Sequence, residues 1–171
     1  WGVGTTMYSV FYGRMGDAAV ATMGVCTTIN DLVWVAIFAL MNATAIIVGK
    51  ALGAGDRERA YLYAKRMMAG AVAAGVALGL LVIAVRWPLV NIFSGLSYPV
   101  REKAQFILML GALTIWFRAF NTINIVGVLR SGGDTLFSLC LDVGTLWLVG
   151  VTSTGLAALV FHWPLEWVYA C

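Results

Sequence analysis

The sequence predicts an all-α, polytopic membrane helix bundle, and three observations carry that prediction. The chain is 61% hydrophobic and only 11% charged, with a mean hydropathy of +0.90, against about 25% charged residues in an ordinary soluble domain. Too few polar side chains remain to cover a globule in water. Charge-free stretches run from Leu32 to Gly49, from Met67 to Val85 and from Val143 to Leu165, each close to the roughly 20 residues that cross a bilayer's hydrocarbon as a helix. Between them lie short clusters of Gly, Asp and Pro, which interrupt helices. This composition excludes a disordered chain, a fibre and a soluble enzyme.

The elements follow in order. Residues 1–12 are apolar but shorter than a span, so they read as part of a helix. The Gly13-Arg14-Met15-Gly16-Asp17 turn leads to a second helix expected over 18–52, with Asp17 as its N-cap. At the helical rise that helix is about 50 Å long and must tilt or project beyond the hydrocarbon. Gly53-Ala54-Gly55-Asp56 ends it, and Asp56 caps a third helix over 57–85 that Arg86-Trp87-Pro88 is expected to stop. Residues 89–94 then read as a short interfacial piece. Pro99 suits the first turn of a fourth helix over 99–130, and Ser131-Gly132-Gly133-Asp134 is the next turn, with Asp134 as a cap. A fifth helix is placed over 135–161. Thr152-Ser153-Thr154-Gly155 is an alternative break, but membrane helices tolerate Ser and Thr. Pro164 is better suited to open a sixth helix over 164–171. The first and last helices thus read as truncated, and residues 1–171 as a single transmembrane lobe.

Net charge is +3, with the 11 Lys and Arg at helix junctions instead of one basic patch, so nucleic acid is not an expected partner. Counting Lys and Arg on alternate sides gives six around the Gly53 and Gly132 turns (Lys50, Arg57, Arg59, Lys65, Arg66, Arg130) and four opposite (Arg14, Arg86, Arg101, Lys103). The Gly-Asp turns are therefore expected to face the cytoplasm. Cys26, Cys140 and Cys171 are widely spaced with no metal-ligand pattern, and read as buried structural thiols.

The two turns are alike: Gly53-Ala54-Gly55-Asp56 and Ser131-Gly132-Gly133-Asp134 each close one long apolar helix and open another. Glycine ends a helix and aspartate caps the next; neither turn matches a phosphate-binding P-loop. Val48-Gly49-Lys50-Ala51-Leu52-Gly53-Ala54-Gly55-Asp56 with Ala60 resembles the signature after the second helix of each lobe in the multidrug and toxic compound extrusion (MATE) transporters. Val128-Leu129-Arg130-Ser131-Gly132-Gly133-Asp134-Thr135 resembles that family's signature between its fourth and fifth helices. Phe11-Tyr12-Gly13-Arg14-Met15-Gly16 followed by Ala18-Ala19-Val20-Ala21 resembles the end of its first helix. The resemblance covers nearly the whole chain and implies one six-helix lobe of a twelve-helix, two-lobe transporter. Tyr8-Ser9-Val10-Phe11 lacks the aspartate usual in the amino-terminal lobe. With Arg118-Ala119-Phe120-Asn121, Asp142 and the Leu165-Glu166-Trp167-Val168-Tyr169 ending, this points to the carboxy-terminal lobe of a bacterial inner-membrane member.

Charged and amide side chains inside a membrane are expensive, so each is a candidate. Asp31 and Asp142 are the cation-coupling candidates implied by the resemblance, exchanging H+ or Na+; static pairing, for instance with Arg118, is the alternative. A carboxylate removed from water favours its protonated form. Arg118, Asn121 and Asn124 recur as a polar stripe on the fourth helix, expected to face the bundle interior. Arg118 is expected to act as counter-ion to a carboxylate or as a link between helices, and Asn42 to bond between helices. Met7, Tyr8, Phe11, Met41, Phe117 and Phe120 are candidates for an adaptable surface against amphipathic drugs, with lipid-facing packing as the plainer role for each. His162 and Glu166 read as interfacial structural residues, and Gly75 and Gly79 as a close helix contact.

The resemblance thus implies export of amphipathic, often cationic compounds in exchange for H+ or Na+, with the lipid bilayer and an amino-terminal lobe as partners. No catalytic residue, metal or other cofactor is expected. A lipid-linked oligosaccharide flippase of the same superfamily is the first rival, though it would want more basic residues than Arg118 in its cavity. An intramembrane enzyme would need a nucleophile–base pair or metal ligands that one interfacial histidine does not supply. A small channel-like oligomer would need the chain to be complete.

Overall fold

The computed structural model describes residues 2–92, 98–161 and 163–170, with the side chains of residues 92, 166 and 170 left aside; among these residues the ordered elements are all helical. We number them α1 (Gly2–Arg14), α2 (Asp17–Gly53), α3 (Arg57–Ile92), α4 (Tyr98–Leu129), α5 (Thr135–Val160) and α6 (Leu165–Ala170). Helices α2 to α5 are each long and apolar enough to cross a membrane.

One boundary differs from expectation by more than two residues, and the alternative break at Thr152–Gly155 is absent. Helix α3 does not stop at Val85 but continues through Pro88 to Ile92, so the short interfacial piece is absent up to that residue. Proline lacks the N–H for a helical bond, but Val90 beyond it is fully buried, packed with Ala104, Ile107 and Leu108. Packing outweighs one lost bond. Thr152–Gly155 lies within α5, and Thr152 Oγ1 donates to the Trp147 carbonyl at 2.9 Å. The chain leaves its helix only near Phe161; His162 and Cys171 lie outside the described residues.

Parts of α4 and α5 are wound as π-helix, over Ile123–Leu129, Thr145–Val151 and Leu156–Val160. Such widened turns are rare and gather at functional or bending positions. The sequence pattern carries no mark of them, because a 3.6-residue period is blind to an inserted residue.

Contacts divide the chain into two compact units. One comprises Trp1–Asn30, Val82–Leu110 and Asp142–Cys171. Its first core joins Cys26 and Ile29 of α2 to Val90 of α3, Ala104, Ile107 and Leu108 of α4, and Leu165 of α6. The Cys26 thiol points at the Ala104 carbonyl, 3.7 Å away, as a buried structural cysteine should. Cys140, by contrast, is exposed, which corrects the expectation for that residue: it lies on an outer face of α5. A second core gathers Phe11 of α1, Val151, Ala157 and Ala158 of α5, and Val168 of α6.

The other unit comprises Asp31–Leu81 and Gly111–Leu141. Here α3 and α4 touch backbone to backbone: a Cβ on Gly75 would overlap the Trp116 backbone, and one on Gly79 would come within 2.6 Å of the Ala112 carbonyl oxygen. The expected close contact is thus observed, and it needs both glycines. Thr44 on α2 is fully buried beside Gly127, with its hydroxyl donating to the Leu40 carbonyl at 2.7 Å. A buried hydroxyl satisfied within its own helix leaves no polar group facing the apolar packing.

Candidate functional site

The site builds on one face of α2. At 100° per residue, Asp31, Trp34, Phe38 and Asn42 fall within an arc of about 80°. Asp31, Phe38 and Asn42 are exposed and Trp34 is half-buried, whereas Val33, Ile37, Thr44 and Val48, on an arc centred about 110° away, are buried. The polar residues therefore stand on the open side of the helix. That is an unfavourable place for a carboxylate and an amide if lipid covers it, and a natural one if water or protein does.

Helix α4 supplies the cation. The Arg118 guanidinium carbon lies 5.2 Å from the centroid of the Trp34 ring, a cation–π geometry that contributes about 0.5–1 kcal/mol at an exposed site. Trp34 also tilts against Phe38 at 5.5 Å, so the ring has a second neighbour on its own helix. Among the described residues no carboxylate pairs with Arg118, which corrects the counter-ion expectation: the aromatic face takes the charge instead. Asp31 lies one turn from Trp34 on the same face, so cation, aromatic ring and carboxylate share one side of the unit. Sequence reasoning missed Trp34. Its signal was present, since an intramembrane arginine needs a partner and a tryptophan three residues from Asp31 offers one.

The rest of the stripe is looser. Asn121 is exposed and Asn124 half-buried at the start of the first π-helical stretch. Asn42 makes no bond between helices among the described residues, contrary to expectation. Phe117 is 58% exposed, set edge-on to Trp116 at 5.9 Å, while Phe120 and Met41 are half-buried. These three belong to the same unit as Asp31 and Arg118.

The remaining candidates lie in the other unit. Asp142 is half-buried, three residues before the π-helical stretch Thr145–Val151. Phe11 is core, only 7% exposed, and Met7 and Tyr8 pack against that same core. A Cβ on Gly150 would overlap the Tyr8 hydroxyl, so α1 lies tight against α5 there. These three side chains fill space between helices more than they offer a surface.

Both Gly-Asp turns share one hydrogen-bond pattern. Gly55 N–H donates to the Leu52 carbonyl at 2.9 Å and Asp56 N–H to that of Ala51 at 3.1 Å; Gly133 N–H donates to Arg130 and Asp134 N–H to Leu129, both at 3.2 Å. Each is a Schellman ending, with glycine in the left-handed region at φ 77° and 92°. Gly53 and Gly132 precede them without that strain. Asp56 then caps α3, its Oδ1 accepting from Arg59 N–H at 3.0 Å and its Oδ2 pairing with Arg59 Nε at 3.0 Å. Asp134 stands at the N-cap of α5 through its carbonyl, which accepts from Ser138 N–H at 3.2 Å. Its carboxylate makes no cap bond among the described residues, a partial correction.

No three His, Cys, Asp or Glu side chains gather as a metal site among the described residues. The MatE family profile matches residues 3–154, most of the chain. The chain belongs to the MatE family. Members of this family are membrane transporters rather than enzymes, and the four membrane-length helices fit a multi-pass membrane protein. The chain is also similar to Protein DETOXIFICATION 16 of Arabidopsis thaliana, at 26% identity over 145 residues that cover 83% of this chain and 29% of that relative. It therefore spans less than a third of the length of the relative it matches. No solved structure matches the chain. For a MatE protein, the signatures around the Gly53 and Gly132 turns are helix endings and caps in physical terms, and the unusual chemistry lies on the Asp31 face.

Proposed function

We propose that this chain is the carboxy-terminal half of a cation-coupled multidrug efflux antiporter, exporting amphipathic, often cationic compounds in exchange for H+ or Na+. The observation that carries the proposal is the exposed Asp31 on the face where Arg118 stacks over Trp34. In a two-lobe transporter, substrate and ion sites lie at the interface between the halves. The amino-terminal lobe covers this face, with an aqueous cavity between them.

Asp31, with no partner among the described residues, takes the coupling role: its carboxylate holds a proton or Na+ in one state and releases it in the other. Arg118, kept on Trp34, raises the positive potential nearby without neutralising Asp31. Phe38 and Phe117 offer aromatic faces to an amphipathic cation, which binds such faces well once desolvated. Asp142 is the second coupling candidate. The lobe sits in a bacterial inner membrane with both Gly-Asp turns at the cytoplasm, as the surplus of Lys and Arg there supports.

The test is export of an amphipathic cation such as ethidium from cells and from proteoliposomes bearing an imposed H+ or Na+ gradient. Asp31→Asn should abolish gradient-driven export while ethidium still binds. Full export in both Asp31→Asn and Asp142→Asn removes the coupling assignment from this half.

A further inference from the structure

A second feature is independent of the Asp31 face. Where α2 ends and α3 begins, a groove of about 590 Å³ opens beside the Gly53–Asp56 turn. Lys50 from α2 and Arg59, Tyr63 and Arg66 from α3 line it, with Ile47 and Met67 at its apolar part. The spacing explains the assembly. Arg59, Tyr63, Arg66 and Met67 fall at i, i+4, i+7 and i+8, one face of α3, while Ile47 and Lys50 stand one turn apart on α2. The small side chains of Ala51 and Ala54 leave the space between them open.

The charge is unbalanced. Lys50, Arg59 and Arg66 face only Asp56, which leaves a net of 3 − 1 = +2 in the groove. Asp56 is already committed to the Arg59 side chain and backbone. Lys50 and Arg66 are exposed and have no acidic partner among the described residues. A guanidinium, an ammonium and a tyrosine hydroxyl lining one groove form a donor set for a phosphate: arginine as a fork, lysine as a point charge.

From these residues we infer that the groove holds the phosphate headgroup of an anionic phospholipid from the leaflet on the side of this turn. The charge complementarity selects an anion. The lining selects a lipid over a free anion: Ile47 and Met67 lie farther from the turn, along the helices, where the upper acyl chain of a headgroup-anchored lipid would run. The site fastens the end of the α2–α3 hairpin to one leaflet, with Lys50 and Arg66 gripping and Asp56–Arg59 keeping the turn rigid.

The test is lipid retention by the purified protein, read by native mass spectrometry. Palmitoyl-oleoyl phosphatidylglycerol is compared with the phosphatidylcholine of the same chains. Each basic contact to an anionic headgroup contributes roughly five-fold in affinity, so Lys50→Gln with Arg66→Gln should weaken phosphatidylglycerol binding about 25-fold. Arg57→Gln with Lys65→Gln, at the same end but outside the groove lining, should change it by less than about two-fold. Ala54→Phe, which fills the groove and keeps both charges, should also release the lipid, and it decides the matter if the double variant does not fold. Equal losses in the two double variants would mean diffuse surface charge and overturn the site. So would displacement of the lipid by equimolar inorganic phosphate or glycerol phosphate, or unchanged retention in Ala54→Phe.

Discussion

Gly79→Ala places one methyl group against the carbonyl oxygen of Ala112, at 2.6 Å, where ordinary contact begins at 3.4 Å. The difference, 3.4 − 2.6 = 0.8 Å, has to come from moving α3 away from α4, because a backbone carbonyl cannot turn aside as a flexible side chain does. The same displacement loosens the neighbouring approach of Gly75 to Trp116, so the strain is spread over two turns of the interface. Overpacking of this kind costs about 1–3 kcal/mol. For a chain of this size each kcal/mol lowers Tm by roughly 2–4 °C, which gives a fall of about 2–12 °C. Alanine also gains helix propensity over glycine, close to 1 kcal/mol, which would mask part of the loss. Gly70→Ala supplies the correction: it lies on the same helix with nothing within 4 Å of an added Cβ, so its propensity gain is the same and its clash is absent. Thermal unfolding of both variants in one detergent then isolates the clash as their difference. Gly79→Ala melting at or above Gly70→Ala would refute the backbone contact between α3 and α4.

Other outcomes follow from the turns and the aromatic contact. Asp56→Ala removes the Arg59 N–H cap and should destabilise the hairpin by about 1 kcal/mol; high salt should alter this little, since the exposed Asp56–Arg59 ion pair adds little of its own. Gly133→Ala forces a left-handed residue to carry a Cβ at φ 92° and should cost about 1–2 kcal/mol; Gly53→Ala, with no such φ and no close neighbour, should be neutral or better, both read by thermal unfolding. A double-mutant cycle of Trp34→Leu with Arg118→Gln should give a coupling of about 0.5–1 kcal/mol, and a coupling of zero would remove the cation–π pair from the account.

Much of the architecture was legible because it rests on composition and on local chemistry. The spans follow from charge-free lengths, and the turns from Gly and Asp in fixed order, since glycine alone accepts the left-handed ending and Asp56 alone combines a carboxylate with the following free N–H groups. What was hidden depends on partners distant in sequence. Pro88 reads as a stop until Val90 is seen to be fully buried against α4. The π-helical stretches leave no periodic trace. Arg118 reads from the sequence as a counter-ion or as a link between helices, and only the fold brings the Trp34 ring of α2 within 5.2 Å of it. Phe11 reads from the sequence as a surface candidate or as lipid-facing packing, because nothing local distinguishes a ring in a core from a ring in a cavity.

The central claim is that Asp31 and Asn42 face water while the neighbouring arc of α2 faces lipid. Cysteine accessibility tests it directly. With Cys140 and Cys171 replaced by serine and Cys26 kept as a fully buried thiol, one cysteine at a time, at Asp31, Asn42, Leu32 or Ala36, is exposed to a membrane-impermeant, charged thiol reagent in sealed vesicles of either orientation. The account predicts rapid modification at Asp31 and Asn42, slowed by a bound amphipathic cation, and protection at Leu32 and Ala36, which lie about 100–140° around the helix from Asp31. Modification of Leu32 and Ala36 with protection of Asp31 and Asn42 would contradict it.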